Sequence, residues 1–387
     1  MDIAGLARKW EKYVIDLRRD FHRHPELSFQ EERTSGRVRE ELDKMGIPYE
    51  VVPPHGVVAT IACARPGKKL AIRADMDALP IQEERQCDYR SQNDGVMHAC
   101  GHDGHTAMLL GAAAVLNELR SELSGSITLC FQSAEEIGKG AAEIIEHLKK
   151  TGGVDQVIAI HIMANLENGL IAVLPDMCMA GVVGWQVDVT GKGGHGSRPD
   201  NVHDPIKAAC EMVLKLASIP SNFYNVLDPC VVTTGQISGG TLANIFPDTA
   251  FFRGSCRFFK PSGRERILEC MTQIIEGVAS ANRVRGELKI LGGDPPTINT
   301  PELAARAREL VAGIDGLEVD ETFEPLCGSD NYGNYLQAFS GFYAFLGVKN
   351  EAMGINYELH QNMFDMDESA LRKGVEFFAT YAADFLR

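Results

Sequence analysis

A chain of 387 residues exceeds what one hydrophobic core usually supports, so two domains are expected. Its 44% hydrophobic and 24% charged residues are the make-up of a folded globular protein. With 38 basic against 53 acidic residues the net charge is −15, which argues against nucleic acid and anionic membrane as partners.

No run approaches the ~18–20 apolar residues of a spanning helix. The charged, amphipathic N-terminus lacks the apolar block and cleavage site of a signal peptide. Ten cysteines without a disulfide-like rhythm point to reduced thiols and a cytoplasmic location. Nine of them read as small buried hydrophobes, and Cys100 is the exception.

From Leu6 to about Phe21 apolar residues recur at helical spacing, and a second helix is expected from Thr34 to Met45. Apolar strands follow at 57–63 and 69–80, then a buried Ala- and Leu-rich helix at 105–119. A strand at 125–136, a helix at 140–150 and a strand at 155–162 continue the alternation, which predicts an α/β domain with a mostly parallel sheet. Beyond Ala180 the texture changes. A half-exposed strand at 182–195 ends in a Gly-rich turn, followed by a helix at 204–219, strands at 229–240 and 249–259, and a helix at 263–280. Apolar runs near Leu288 and Tyr343 frame a loop expected at 292–296. Residues 183–293 thus read as a smaller α+β domain inserted into a catalytic domain formed by 1–182 and 294–387. Neither internal repeats nor low-complexity tracts occur.

Chemistry-bearing residues are densest at 97–105, where His98, Cys100, His102, Asp103 and His105 fall just before a helix. Cys100 and His102 flank a glycine, so a tight loop can aim both at one ion, and thiolate and imidazole suit borderline-soft metals such as zinc. The same run also reads as a polar turn capping the helix, with His98 and His105 exposed or orienting ligands. Glu135 and Glu136 end an apolar strand and point in different directions, so one can bind metal while the other serves as general base. Alone, they would read as a solvated helix start. His161 closes the strand 155–162, at the sheet edge where α/β proteins build their sites, or is a satisfied core histidine. Asp75 and Asp77 lie at another strand end and can ligate, hold a ligand or close the strand. His195 stands in a Gly-rich loop that lacks the Gly-Lys-Ser/Thr ending of a phosphate loop. His360 precedes the amphipathic C-terminal helix and either completes a site or caps that helix.

Taken in order, HisProGluLeu at 24–27, ArgAlaAspMetAspAlaLeuPro at 73–80, HisAlaCysGlyHisAspGlyHisThrAla at 98–107, AlaGluGlu at 134–136, GlyLysGlyGlyHis at 191–195 and the segment from His360 to Glu368 resemble metallopeptidase family twenty. The branch is the one containing hippurate hydrolase, bacterial aminoacylases and plant auxin-conjugate amidohydrolases, and the likeness runs from about residue 16 to the end. It implies an N-acyl-amino-acid amidohydrolase with two divalent metal ions, zinc or manganese first, cobalt or nickel next. Cys100, His102, Glu136, His161 and His360 are the implied ligands and Glu135 the implied general base, acting on a metal-activated water. Asp75 and Asp77 stand where the wider superfamily has a His-x-Asp motif, with Asp77 counted among the catalytic residues. His195 matches a lid histidine that stabilises the oxyanion, and Asn244 and Arg257 match lid positions facing substrate, Arg257 being suited to a carboxylate. The resemblance also implies that the lid forms a homodimer, with a tetramer open. The chain departs from the family at Gly328-Ser329-Asp330-Asn331-Tyr332, where Gly-small-Glu-Asp-Phe is usual, so substrate identity does not transfer directly. A dipeptidase or carboxypeptidase of the same family is the competing enzyme reading, and a silent ligand-binding dimer the competing non-enzyme one.

Overall fold

The computed structural model describes residues 1–225 and 227–387, and separates into two compact units. The larger comprises Met1–Cys178, Ile298–Glu324 and Asn334–Arg387, and the smaller Met179–Thr297 and Pro325–Gly333. The smaller unit therefore extends beyond the expected 183–293 at both ends and takes in a later segment that includes Ser329–Tyr332.

The larger unit opens with α1 (Ile3–Arg23), α2 (Glu32–Met45), β1 (Tyr49–Val52), β2 (Gly56–Ala62), β3 (Arg65–Asp75), α3 (His102–Leu119), β4 (Ser124–Gln132), α4 (Ala141–Lys150), β5 (Gln156–Glu167) and β6 (Leu170–Ala172). The smaller unit supplies β7 (Gly181–Thr190), β8 (Gly194–His195), α5 (Pro205–Leu216), β9 (Cys230–Gly239), β10 (Ile245–Phe246), β11 (Thr249–Phe258), α6 (Gly263–Asn282) and β12 (Arg285–Asp294). The chain then returns through α7 (Pro301–Val311), β13 (Glu318–Val319), β14 (Gly341–Lys349) and α8 (Ser369–Phe385).

In the larger unit the strands form one sheet in the order β1-β2-β4-β3-β5-β14-β6-β13. Its central strands β4, β3, β5 and β14 are parallel, and β1, β2 and β6 join by antiparallel pairing. Strands covered on both faces carry continuous apolar runs: Leu70–Asp75 and Val157–Ala164 are buried throughout. Helix α3 is buried all round, which explains its lack of a polar face. Small residues let its neighbours approach. A Cβ on Gly111 would lie 2.4 Å from Val14 of α1 and 2.8 Å from Val375 of α8. The smaller unit has an antiparallel sheet, β9-β11-β7-β12. Val183, Trp185, Val187 and Val189 of β7 enter its core, with Ala208 and Met212 of α5 and Ile267 and Met271 of α6. Strands β8 and β10 form a separate two-stranded ribbon.

Three sequence expectations change. β5 continues to Glu167, so His161 lies within a strand, not at its end. β12 continues through Gly292–Asp294, paired with Val182–Gly184, because φ angles of 137° and 151° at Gly292 and Gly293 are open to glycine. The expected loop at 292–296 shrinks accordingly. Of the nine cysteines read as buried, only Cys130, Cys178 and Cys256 are; Cys210 and Cys327 are exposed, and the rest are intermediate. Cys210 lies on the outward face of an amphipathic helix, where no core reaches it. All ten are free thiols. Among the described residues no helix is long and apolar enough to cross a membrane.

Candidate metal centre and catalytic site

Parallel register brings the acids and a histidine to one level. Asp75 of β3 pairs with Gln132 of β4, three residues before Glu135, and Arg73 pairs with Ala159 of β5, two residues before His161. Gly101 precedes α3 with φ +83°, and a Cβ there would lie 2.0 Å from Ile162 Cδ1. Glycine is therefore needed for the chain to pass close to β5 between Cys100 and His102. Helix α3 starts at His102, three residues earlier than its apolar pattern indicates.

His102 Nδ1 lies 2.9 Å from the Asp77 carbonyl oxygen and 3.2 Å from Asp77 Oδ1. Its Nε2 is buried without a partner, 3.9 Å from Glu136 Oε1, which is also buried and unpartnered. His161 Nδ1 donates to its neighbour's carbonyl, Ile162 O, at 2.6 Å, and Nε2 stands 3.5 Å from Cys100 Sγ. His360 Nε2 is 3.7 Å from Glu136 Oε1. Donor atoms within 4.8 Å of one another fall into the groups Cys100–His102–His161, Cys100–Glu136–His360 and His102–Glu135–Glu136. Buried polar atoms without hydrogen bonds are costly, and a cation shared by these donors would offset that cost. The mixed thiolate, imidazole and carboxylate donors suit a borderline-soft divalent ion.

A fourth close group, Asp75–His102–His105, is a different case. His105 Nε2 accepts the Ile162 N–H at 2.9 Å, so the ring proton sits on Nδ1 and is given to Asp75 Oδ1 at 2.6 Å. Both nitrogens are engaged, and His105 braces Asp75 against β5. His98 is buried rather than exposed, with no partner for either nitrogen among the described residues, and joins none of these groups. His360 adopts φ +65°, is half-exposed, and donates its N–H to Ala99 O at 2.8 Å. Helix α8 begins only at Ser369, so His360 does not cap it.

Charge and burial compete throughout. Burial opposes ionising Asp75, but Arg73, 2.7 Å away, with His102 and His105, holds its carboxyl well below the usual range. Burial resists charging His102 as well, yet Asp75 and Cys100 raise its pKa well above the ordinary value. Burial raises Glu136 to about 7, aided by Asp77 and Asp75 and opposed by His102, and it pushes the Cys100 thiol well up. Sequence reasoning missed Arg73 and Ser28. The Ser28 hydroxyl donates to Asp77 Oδ2 at 2.6 Å, and the same oxygen accepts Glu136 N–H at 3.0 Å. A serine in a loop carries no local signal of such a role.

Asp103, next to His102, is held by Arg18 Nε at 2.9 Å and His22 Nδ1 at 2.7 Å, while His22 Nε2 faces Glu83 at 3.3 Å. Burial and Arg18 oppose charging His22, but Asp103 and Glu83 outweigh them and raise its pKa. A raised folded-state pKa contributes stability that is fully present below about 6.5, the unfolded value, and lost as pH rises through the folded one. The gap in melting temperature between the metal-free parent and His22→Gln is therefore expected to shrink as the pH is taken from about 6 toward 9. A gap that stays constant over that range would show that the ring is not charged.

In the smaller unit, His195 of β8 pairs with Ile245, and its Nδ1 accepts Ser197 N–H at 3.2 Å, which leaves Nε2 as a donor. Gly196 N–H donates to Asn244 O at 2.8 Å, tying the two loops together. Arg257 of β11 is half-buried and donates to Ser329 Oγ at 2.9 Å, with no carboxylate partner among the described residues.

Comparison with known proteins gives a consistent result. The chain is 36% identical over 383 residues to thermostable carboxypeptidase 1 of Saccharolobus solfataricus, covering 98% of this chain and 97% of that protein. It is 36% identical over 371 residues to N-acetylcysteine deacetylase of Bacillus subtilis, covering 95% and 96%. A solved Bacillus subtilis structure, described as a dinuclear metal binding peptidase from M20 family, superposes with a TM-score of 0.85 at 33% identity, covering 98% of this chain and 99% of that one. Residues 71–384 match the model for peptidase family M20/M25/M40, and the chain belongs to that family.

Proposed function

We propose that this chain is a metal-dependent amidohydrolase that cleaves the amide bond of N-acyl amino acids. The observation that carries this reading is the convergence of five side chains, Cys100, His102, Glu136, His161 and His360, drawn from four separate stretches, beside Glu135. Two divalent ions held there, zinc or manganese foremost, would polarise the amide carbonyl and make a water more acidic. Glu135 is assigned as the base that takes the water's proton and passes it to the leaving amine nitrogen as the C–N bond breaks. Asp77 engages Nδ1 of the His102 ring, which leaves Nε2 available to hold an ion. The Nε2–H of His195 is the assigned donor to the oxyanion, with Asn244 beside it. We further assign a cytoplasmic location and a homodimer formed through the smaller unit.

The acyl-amino-acid class is supported by the deacetylase relative and by Arg257, a half-buried cation without an acid partner, as a carboxylate-binding group would be. The carboxypeptidase relative favours a second reading with the same hydrolytic chemistry but an unblocked peptide as substrate. Acetyl- and benzoyl-amino acids should be turned over at least about tenfold better in kcat/KM than dipeptides with a free α-amine. Arg257→Ala should raise KM for the former by about 10–100-fold, as loss of a charged hydrogen bond predicts. Preference for the unblocked dipeptides would replace the amidohydrolase by the peptidase.

A further inference from the structure

The loop 24–31 carries the HisProGluLeu motif, to which the proposed reaction assigns no task. Its backbone and side chains nevertheless bond to the two loops that bear the acids of the centre. Ser28 binds Asp77, as above, and Glu26 O accepts Ala78 N–H at 2.8 Å. Glu31, fully buried, accepts Ala134 N–H at Oε1 over 2.8 Å, across 103 positions of sequence.

The local explanation for Glu31 fails. It stands just before α2, where a carboxylate ordinarily caps the helix, yet its side chain makes no capping bond. Glu26 does that work, accepting the N–H groups of Arg33 and Thr34 at 3.0 and 2.8 Å. No cation acts on Glu31 among the described residues, and its Oε2 has no hydrogen-bond partner. Besides the backbone of residues 29 and 31, the group this carboxyl holds is the Ala134 N–H, far along the chain. Ala134 has φ +59°, a left-handed conformation that non-glycine residues rarely adopt. This residue stands two positions after the end of β4 and opens the short 3-10 turn Glu135–Ile137. The conformation of Ala134 therefore sets where the next two side chains go.

We propose that Glu31 is a positioning residue, which locks Ala134 in its left-handed turn through the Oε1 bond and so aims Glu135 and Glu136. The inference rests on the reading of those two acids as base and ligand. Ser28 steadies Asp77 from the same loop.

Four variants test it: Glu31→Gln keeps an acceptor oxygen in place, Glu31→Asp keeps the charge but withdraws the oxygen by one methylene, Glu31→Met removes the acceptor, and Glu31→Met with Ala134→Gly restores an easy left-handed turn. Amide hydrogen exchange over 130–138 in the metal-free protein is the first readout, followed by zinc affinity and by kcat and KM on an N-acetyl amino acid. Glu31→Met and Glu31→Asp should speed exchange at least tenfold, weaken zinc binding about 10–100-fold, and lower kcat at least tenfold with KM within threefold. Glu31→Gln should stay within threefold of the parent in all readouts, and the double variant should recover most of the loss in kcat. Parent-like exchange and kcat in Glu31→Asp overturn the proposal, as does Glu31→Gln falling as far as Glu31→Asp. Should Glu31→Met not fold, the Gln and Asp pair still decides. The exchange readout needs neither metal nor turnover. A Glu135→Gln variant that kept full activity would therefore sink the catalytic reading while leaving the exchange result to judge Glu31.

Discussion

Replacing Glu135 by Gln is expected to lower kcat by about 10²–10⁴-fold, the range a positioned general base contributes, while bound metal and KM change little. Glu135 belongs to the group His102–Glu135–Glu136 and stands between partly and fully buried donors. The amide keeps its shape and hydrogen-bonding capacity but cannot take a proton from water at neutral pH. Metal content must be measured alongside the rate, because a variant that lost its ions would be inactive for another reason. Full activity in Glu135→Gln with the ions in place would show that another group takes the proton.

The second large effect is expected at Cys100. Its sulfur is common to two of the donor groups, Cys100–His102–His161 and Cys100–Glu136–His360. Cys100→Ala should therefore cut zinc content from two equivalents to below one and reduce activity by more than about 10³-fold. The substitution removes one atom from a buried position, so the fold should survive, as melting curves would show. In cobalt-loaded protein the sulfur-to-metal charge-transfer absorption should vanish with it. Because burial holds the metal-free thiol well above its ordinary pKa, ion binding must expel its proton. Affinity should then fall by about tenfold per pH unit for each proton released as the solution is acidified. A variant that kept two tightly bound ions would remove Cys100 from the ligand set.

Much of this molecule can be read without coordinates, and the reasons are local. The helices and strands follow from apolar spacing, so α1, α2 and the alternation from β2 to β5 were legible, with errors of a few residues at their ends. The error at α3 is instructive. Its first turn consists of His102, Asp103 and Gly104, polar or small residues that break the apolar pattern yet are buried in the structure. β5 outran its expected end because burial continues past His161 on both faces of the sheet. The candidate donors were legible as residue types, since cysteine, histidine and paired glutamates are the side chains able to carry metal chemistry, though which of them do so was not.

What the sequence determined by itself is the set of donors, their order and the local elements that carry them, because these depend on neighbours a few positions apart. Which histidines retain a nitrogen for an ion was decided by tertiary structure alone. His102 keeps Nε2 because Asp77, 25 positions away, occupies Nδ1, whereas His105 loses both nitrogens to Asp75 and Ile162. Glu31 was invisible for the same reason. A hydrogen bond is set by distance in space, and its partner lay 103 residues along the chain.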